Sequence, residues 1–246
     1  MTPVGIEIAV ADAAGAAAAA EGGADRVELC AALEVGGVTP SHGFVGHALD
    51  CAPGIDVTVL IRTRSGDFVH TPDEVDVMVR DIRDIVSASA GDPARVGFTV
   101  GTLHPDGSVD LTALSALVTA ADGRRVTFHK AFDSIPNPVA ALQVLADHGV
   151  AAVLTAGGSG PAVDHLDRLV DLTTAAPEGL TIVAAGGIRP DNVAEVLRTG
   201  VRDVHLRAPM IVPSSARSTS SYDPGHREVT SSALVQDVVR RARAAQ

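Results

Sequence analysis

Eight short apolar runs recur along the chain, at Ile6–Ala9, Arg26–Cys30, Val57–Ile61, Val96–Gly101, Val126–His129, Ala152–Thr155, Thr181–Ala185 and Asp203–Leu206. Helix-like stretches, most of them rich in Ala and Leu, separate them. Eightfold strand–helix alternation over 246 residues predicts an α/β fold, a single (β/α)8 TIM-type barrel. Such barrels carry their chemistry on the loops that follow the strands, so the place of a site is implied before its chemistry is. One domain is expected over 1–246, with a Ser/Thr-rich loop at about 209–231 ahead of a closing helix at about 233–244. That loop is read as a connector, a lid or an oligomer contact, with Arg217, Tyr222, His226 and Arg227 its suggestive side chains.

Hydrophobic residues make up 46% of the chain and aromatics only 2%, so the core must be built from Ala, Val, Leu and Ile. That suits strands buried on both faces. A net charge of −11 without a basic cluster, and with few rings to stack on bases, argues against nucleic acid. The first twenty residues lack a basic start and carry Glu7 and Asp12 within their apolar part, and the Ala16–Ala20 run is too short to span a bilayer. A cytoplasmic protein with no membrane partner is expected. Two cysteines, Cys30 and Cys51, do not make a disulfide framework.

Side chains alternate across a strand, so helix-facing Ile6, Ile8, Val27 and Leu29 send Glu7, Arg26, Glu28 and Cys30 into the barrel. The same parity turns Thr127, His129, Asp203 and His205 inward, and the third strand runs into Arg62-Thr63-Arg64. Glu7, Glu28, Arg62, His129, Thr155 and His205 thus converge from six strands. A purely structural network, in which Arg26 and Arg62 neutralise Glu7 and Glu28, is the competing reading, because buried charge must be paired in any case. Convergence of so many polar groups at one barrel end favours a site. Asp67 and Asp133 read as turn residues. Glycines at Gly157-Gly158 and Gly186-Gly187, after the sixth and seventh strands, allow close backbone approach and, with Arg64, are candidate anion-binding elements.

The segment from Gly23 to Cys30, followed by Gly36-Gly37-Val38-Thr39-Pro40-Ser41, strongly resembles the CutC family, called copper homeostasis proteins. Ile61 to Phe68, Val126 to Asp133 and Val153 to Gly157 agree with it in order and spacing. The resemblance runs from about Glu7 to about Arg207. It implies a TIM-type barrel, a cytoplasmic location, homo-oligomers and a part in copper handling. Members with a copper role are similar to one another at a cysteine just after the first-strand glutamate, where this chain has Ala9; the second-strand cysteine is retained as Cys30. The family's Arg-Pro-Arg-Gly-Gly-Asp-Phe reads Arg62-Thr63-Arg64-Ser65-Gly66-Asp67-Phe68 here, and after His205 the small Ser-Ala pair is replaced by Leu206 and Arg207.

Two chemistries compete. Cu(I) wants at least two soft ligands, and the sulfur atoms on offer belong to Cys30, Cys51, Met1, Met78 and Met210, with Cys30 the candidate metal residue and copper the candidate cofactor. Cys51 lies beyond the helix beginning near Ser41, which should carry it to the opposite end of the barrel. The alternative is an enzyme, a lyase, isomerase or hydrolase, acting on a small anionic metabolite. There Glu7, Glu28, Arg62, His129 and His205 are catalytic and His129 or Glu28 is the base. The same carboxylates and histidines suit a harder ion such as manganese or zinc.

Overall fold

The computed structural model describes residues 3–215, 221 and 223–246. Met1, Arg217 and Tyr222, singled out above, lie outside the described residues. Strands β1 (Gly5–Val10), β2 (Arg26–Leu29), β3 (Asp56–Leu60), β4 (Val96–Val100), β5 (Val126–Phe128), β6 (Ala152–Thr155), β7 (Thr181–Ala185) and β8 (Asp203–Leu206) close into a parallel barrel in sequence order, with β8 back on β1. Each expected run is a strand to within two residues at either end.

Helices α1 (Gly15–Glu21), α2 (His42–Cys51), α3 (Pro72–Ala88), α4 (Leu111–Ala120), α5 (Pro138–Asp147), α6 (Leu166–Ala175), α7 (Val193–Leu197) and α8 (Ser232–Ala244) follow the strands in turn. Local chemistry starts several of them. Ser41 accepts from the Phe44 N–H at the start of α2, and Thr71 with Glu74 forms a reciprocal capping box on α3, where Pro72 opens the first turn. Thr39 exchanges hydrogen bonds with the Arg62 backbone and ties the loop after β2 to the end of β3.

The apolar core lies between barrel and helices. Ile6, Ile8, Val27, Leu29, Val57 and Val59 all face that layer, as their alternation requires. The barrel interior is divided. Ala152, Leu154, Val183 and Ala185 form a small apolar cluster inside β6 and β7, and the polar side chains Glu7, Arg26, Glu28, Thr58 and His205 occupy the side made by β8 and β1–β3.

The segment at 209–231 departs from a simple loop. Pro209–Pro213 (β9) and His226–Thr230 (β10) pair antiparallel as a hairpin outside the barrel. Its β-branched residues Ile211, Val212, Val229 and Thr230 favour extended backbone. Asp12 accepts hydrogen bonds from both the backbone N–H and the hydroxyl of Thr230, and Arg207 pairs with Glu228, so the hairpin is fastened to the barrel mouth at two points.

Candidate active site

The carboxyl ends of the strands enclose a cavity of about 680 Å³. Glu28, Cys30, Arg62, His129, His205, Gly186 and Gly187, all expected in a site, line it. Most of its wall is apolar.

Glu7 is not in this wall. It lies one layer below, where Arg26 and His205 hold it: Arg26 Nε donates to one carboxylate oxygen, and His205 Nδ1 donates to the other at 2.7 Å. Arg26 also reaches Asp203 at 3.0 Å. Burial would raise the Glu7 carboxyl, but Arg26 and His205 outweigh burial and hold it well below the ordinary carboxylate range. Burial would likewise lower His205, yet the charge of Glu28 and the hydrogen bond to Glu7 prevail and its affinity for a proton rises. Glu7 therefore lies beneath the cavity floor, outside its lining.

Glu28 is 5% exposed. One of its oxygens has no partner; the other receives the Cys30 thiol at 3.4 Å and stands 3.7 Å from His205 Nε2. Burial raises its affinity for a proton, and neighbouring Glu7 adds to that against the opposing charge of His205. The Cys30 thiol is itself pushed well up by burial and by Glu28, so it stays protonated.

Across the cavity stand two donors. His129 is 6% exposed; its Nδ1 accepts from the Ala131 N–H at 3.1 Å, and its Nε2 has no partner. Burial and the charge of Arg62 push it down to about 3, so the ring is neutral with its proton on Nε2. Its Nδ1 lone pair is taken by the Ala131 N–H, and its Nε2 offers an N–H that has no partner. The room it occupies exists because residue 101 is glycine: a Cβ at Gly101 would overlap the ring. Arg62, also 6% exposed, donates to the carbonyls of Gly37 at 3.1 Å and Gly66 at 2.6 Å, while its Nε has no partner. Phe68 packs between them, 4.8 Å from the His129 ring and 5.0 Å from the Arg62 guanidinium carbon.

The remaining candidates lie elsewhere. Arg64 is committed to Glu74, Asp67 and the Val69 carbonyl, and shapes the loop after β3 from outside the cavity. His165 packs against Gly157 and Gly158, where a Cβ would crowd its backbone or ring, and Gly157 also holds a φ of +81° that favours glycine. Thr155 donates to Asp133, which also accepts from the Ala156 N–H and pairs with Lys130, so Asp133 clasps two loops and is more than a turn residue. The cavity also contains Phe68, Lys130, Arg189 and Arg207, which strand parity did not single out. Arg207 follows the parity of inward-facing His205, two residues earlier, and Phe68 and Lys130 fall in the family-like segments Ile61 to Phe68 and Val126 to Asp133.

Among the described residues, Glu7, Glu28 and His205 are the one set of three donors close enough to share an ion. Arg26 pairs with one oxygen of Glu7 and His205 with the other, so a cation shared by these three groups would compete with the Glu7–His205 hydrogen bond. For copper the donor set is poorer. Cys51 is half-buried at the end of α2, Met78 is fully buried, Met210 is on exposed β9, and none of them lines the cavity with Cys30. Among the described residues, none places a second sulfur beside Cys30 for a two-sulfur Cu(I) site.

A sequence model described as the CutC family matches residues 4–210. The chain is 40% identical to a CutC family protein of Caulobacter vibrioides, with 97% of each covered. It is 38% identical to one of Agrobacterium fabrum, with 96% of this chain and 93% of the relative covered. The solved structure of the candidate copper homeostasis protein CutC from Streptococcus agalactiae matches with a TM-score of 0.77 at 28% identity, over 82% of this chain and 98% of that one. On sequence, barrel and matched length together, the chain belongs to the CutC family.

Proposed function

We propose that the chain is an acid–base enzyme for an organic anion, a lyase or isomerase that moves a proton next to a carboxylate or carbonyl group. The carrying observation is Arg62: a buried guanidinium whose partners are neutral carbonyls, with an unpartnered Nε, in the wall of a cavity. A buried cation without a counter-charge is costly, and an anionic ligand removes that cost. Arg62 and the neutral His129 Nε2–H bind the anionic or carbonyl oxygen and stabilise charge that develops there. Glu28 takes the proton; its raised affinity brings it nearer to the strength a general base needs at neutral pH. Glu7 and His205 set the charge state of Glu28 from below.

The copper connection in the name of the Streptococcus agalactiae protein comes to this chain, on this reading, as an association without direct Cu(I) binding. A cytoplasmic homo-oligomer is proposed with it; among the described residues no helix is long and apolar enough to cross a membrane. Nucleic acid is not a proposed partner.

The test is solvent-deuterium exchange at the carbon next to the carbonyl in a panel of 2-oxo monocarboxylates, followed by proton NMR. Wild type should promote exchange, and Glu28→Gln should slow it by about 10²–10⁴-fold. Equal exchange by both proteins would sink the proposal.

A further inference from the structure

We infer that the ligand of this cavity is a monocarboxylate with an apolar body, a medium-chain or aryl-substituted acid and not a phosphorylated or sugar-like metabolite. The inference rests on the proposed anion site and deepens it.

Charge sets the head group. Four cationic side chains line the cavity, and three already have carboxylate partners: Lys130 with Asp133 at 2.8 Å, Arg189 with Asp191 at 3.3 Å, and Arg207 with Glu228. Arg62 alone among these described cations has none, and it is the most deeply buried. One uncompensated positive charge matches one negative charge. A phosphate dianion would carry a second charge into a site that also holds Glu28. The planar Arg62 fork and the His129 Nε2–H together provide donors for the two oxygens of one carboxylate.

The wall sets the rest. Leu60, Phe68, Leu154, Ile188 and Leu206 line the space beside Arg62, and half-exposed Val35 stands at its rim. Hydroxyls of a sugar would lose water there and meet no partner on these side chains. A cavity of about 680 Å³ also far exceeds a two- or three-carbon acid and falls in the range of pockets that bury drug-sized ligands. Apolar wall, single charge and volume agree on an amphiphile with its carboxylate at Arg62.

The experiment titrates the purified full chain with acetate, butanoate, hexanoate and octanoate by calorimetry. Each fully buried methylene is worth about a fourfold gain in affinity, so binding should tighten at least tenfold across the series. Octanoate should bind at least tenfold better than 1-octanol, and neither inorganic phosphate nor glycerol 3-phosphate should displace it. Arg62→Gln should weaken every member about tenfold or more. Leu154→Ala should lower octanoate affinity more than acetate affinity and so flatten the chain-length dependence. A flat series, equal binding of octanol, or tighter binding of phosphate overturns the inference; because these come from wild type, a misfolded variant does not blunt the test. Binding is read without turnover. Acids that bind as expected while Glu28→Gln leaves exchange unchanged would keep the ligand class and remove the acid–base reading, and phosphate preference with Glu28-dependent exchange would do the reverse.

Discussion

His129 and Glu7 illustrate how a single buried side chain couples this fold to pH. His129 gains no counter-charge on folding and is pushed from its ordinary 6.5 down to about 3 by burial and Arg62. The unfolded chain therefore binds the extra proton first, and stability is fully present above about 6.5 and falls as pH drops toward 3. His129→Gln removes this dependence. Denaturant titrations between pH 4 and pH 7 should have a slope shallower by up to about 1.4 kcal/mol per pH unit, and an unchanged slope would refute the neutral buried ring. Glu7 has the opposite local environment and the same acid-side consequence. Its folded carboxyl is held below its ordinary 4.5, so its contribution is present above that value and lost as pH falls through the depressed one. Glu7→Gln removes the buried partner of Arg26 Nε and leaves Asp203 as its remaining counter-ion, which should cost about 3 kcal/mol, read as a lowered melting temperature; a loss under 1 kcal/mol would mean that Asp203 alone satisfies Arg26.

At the scale of elements, strand parity was legible because burial on the helix side repeats every second residue. Ile6, Ile8, Val27 and Leu29 announce their outward face and thereby the inward face of Glu7 and Glu28. Parity does not say how deep along the barrel axis an inward residue lies, and so Glu7 and Glu28 looked equivalent when only one of them meets the cavity. Glycines divide in the same way. His165 packs on Gly157 and Gly158 and the His129 ring on Gly101, and nothing in the sequence separates that demand from close approach of a ligand. Gly101→Ala should force the His129 ring to shift, at about 1–3 kcal/mol of stability, with weakened carboxylate binding as the check. The β9–β10 hairpin was read as a loop because Ser and Thr dominate its middle, while its paired arms are short. Its hold on the barrel passes through Asp12, far away in sequence. Asp12→Ala should raise amide hydrogen exchange over 226–230 by about tenfold, the exchange equivalent of losing roughly 1–2 kcal/mol of hydrogen bonding; unchanged exchange would mean that Arg207–Glu228 suffices.

For the whole molecule, the copper question has a direct test. A Cu(I) competition titration under reducing conditions should find no tight site in wild type and no difference in Cys30→Ser. Tight stoichiometric binding that disappears with Cys30→Ser would restore copper as a direct cargo despite Ala9. Periodicity, composition and the long motifs around Arg26–Cys30 and Arg62–Phe68 were enough, by themselves, to determine a (β/α)8 barrel of the CutC family with polar residues at its strand ends. These properties are local, set by the two-residue repeat of a strand and by short contiguous segments. Only the closed barrel decided which side chains share a space. Arg62 and His129 come from strands two apart in the barrel, Arg207 finds Glu228 across the hairpin, and Glu7 falls below the cavity floor. Depth along the axis, ion-pair partners and the apolar wall all depend on contacts between residues distant in sequence, which the order of residues does not reveal until packing brings them together.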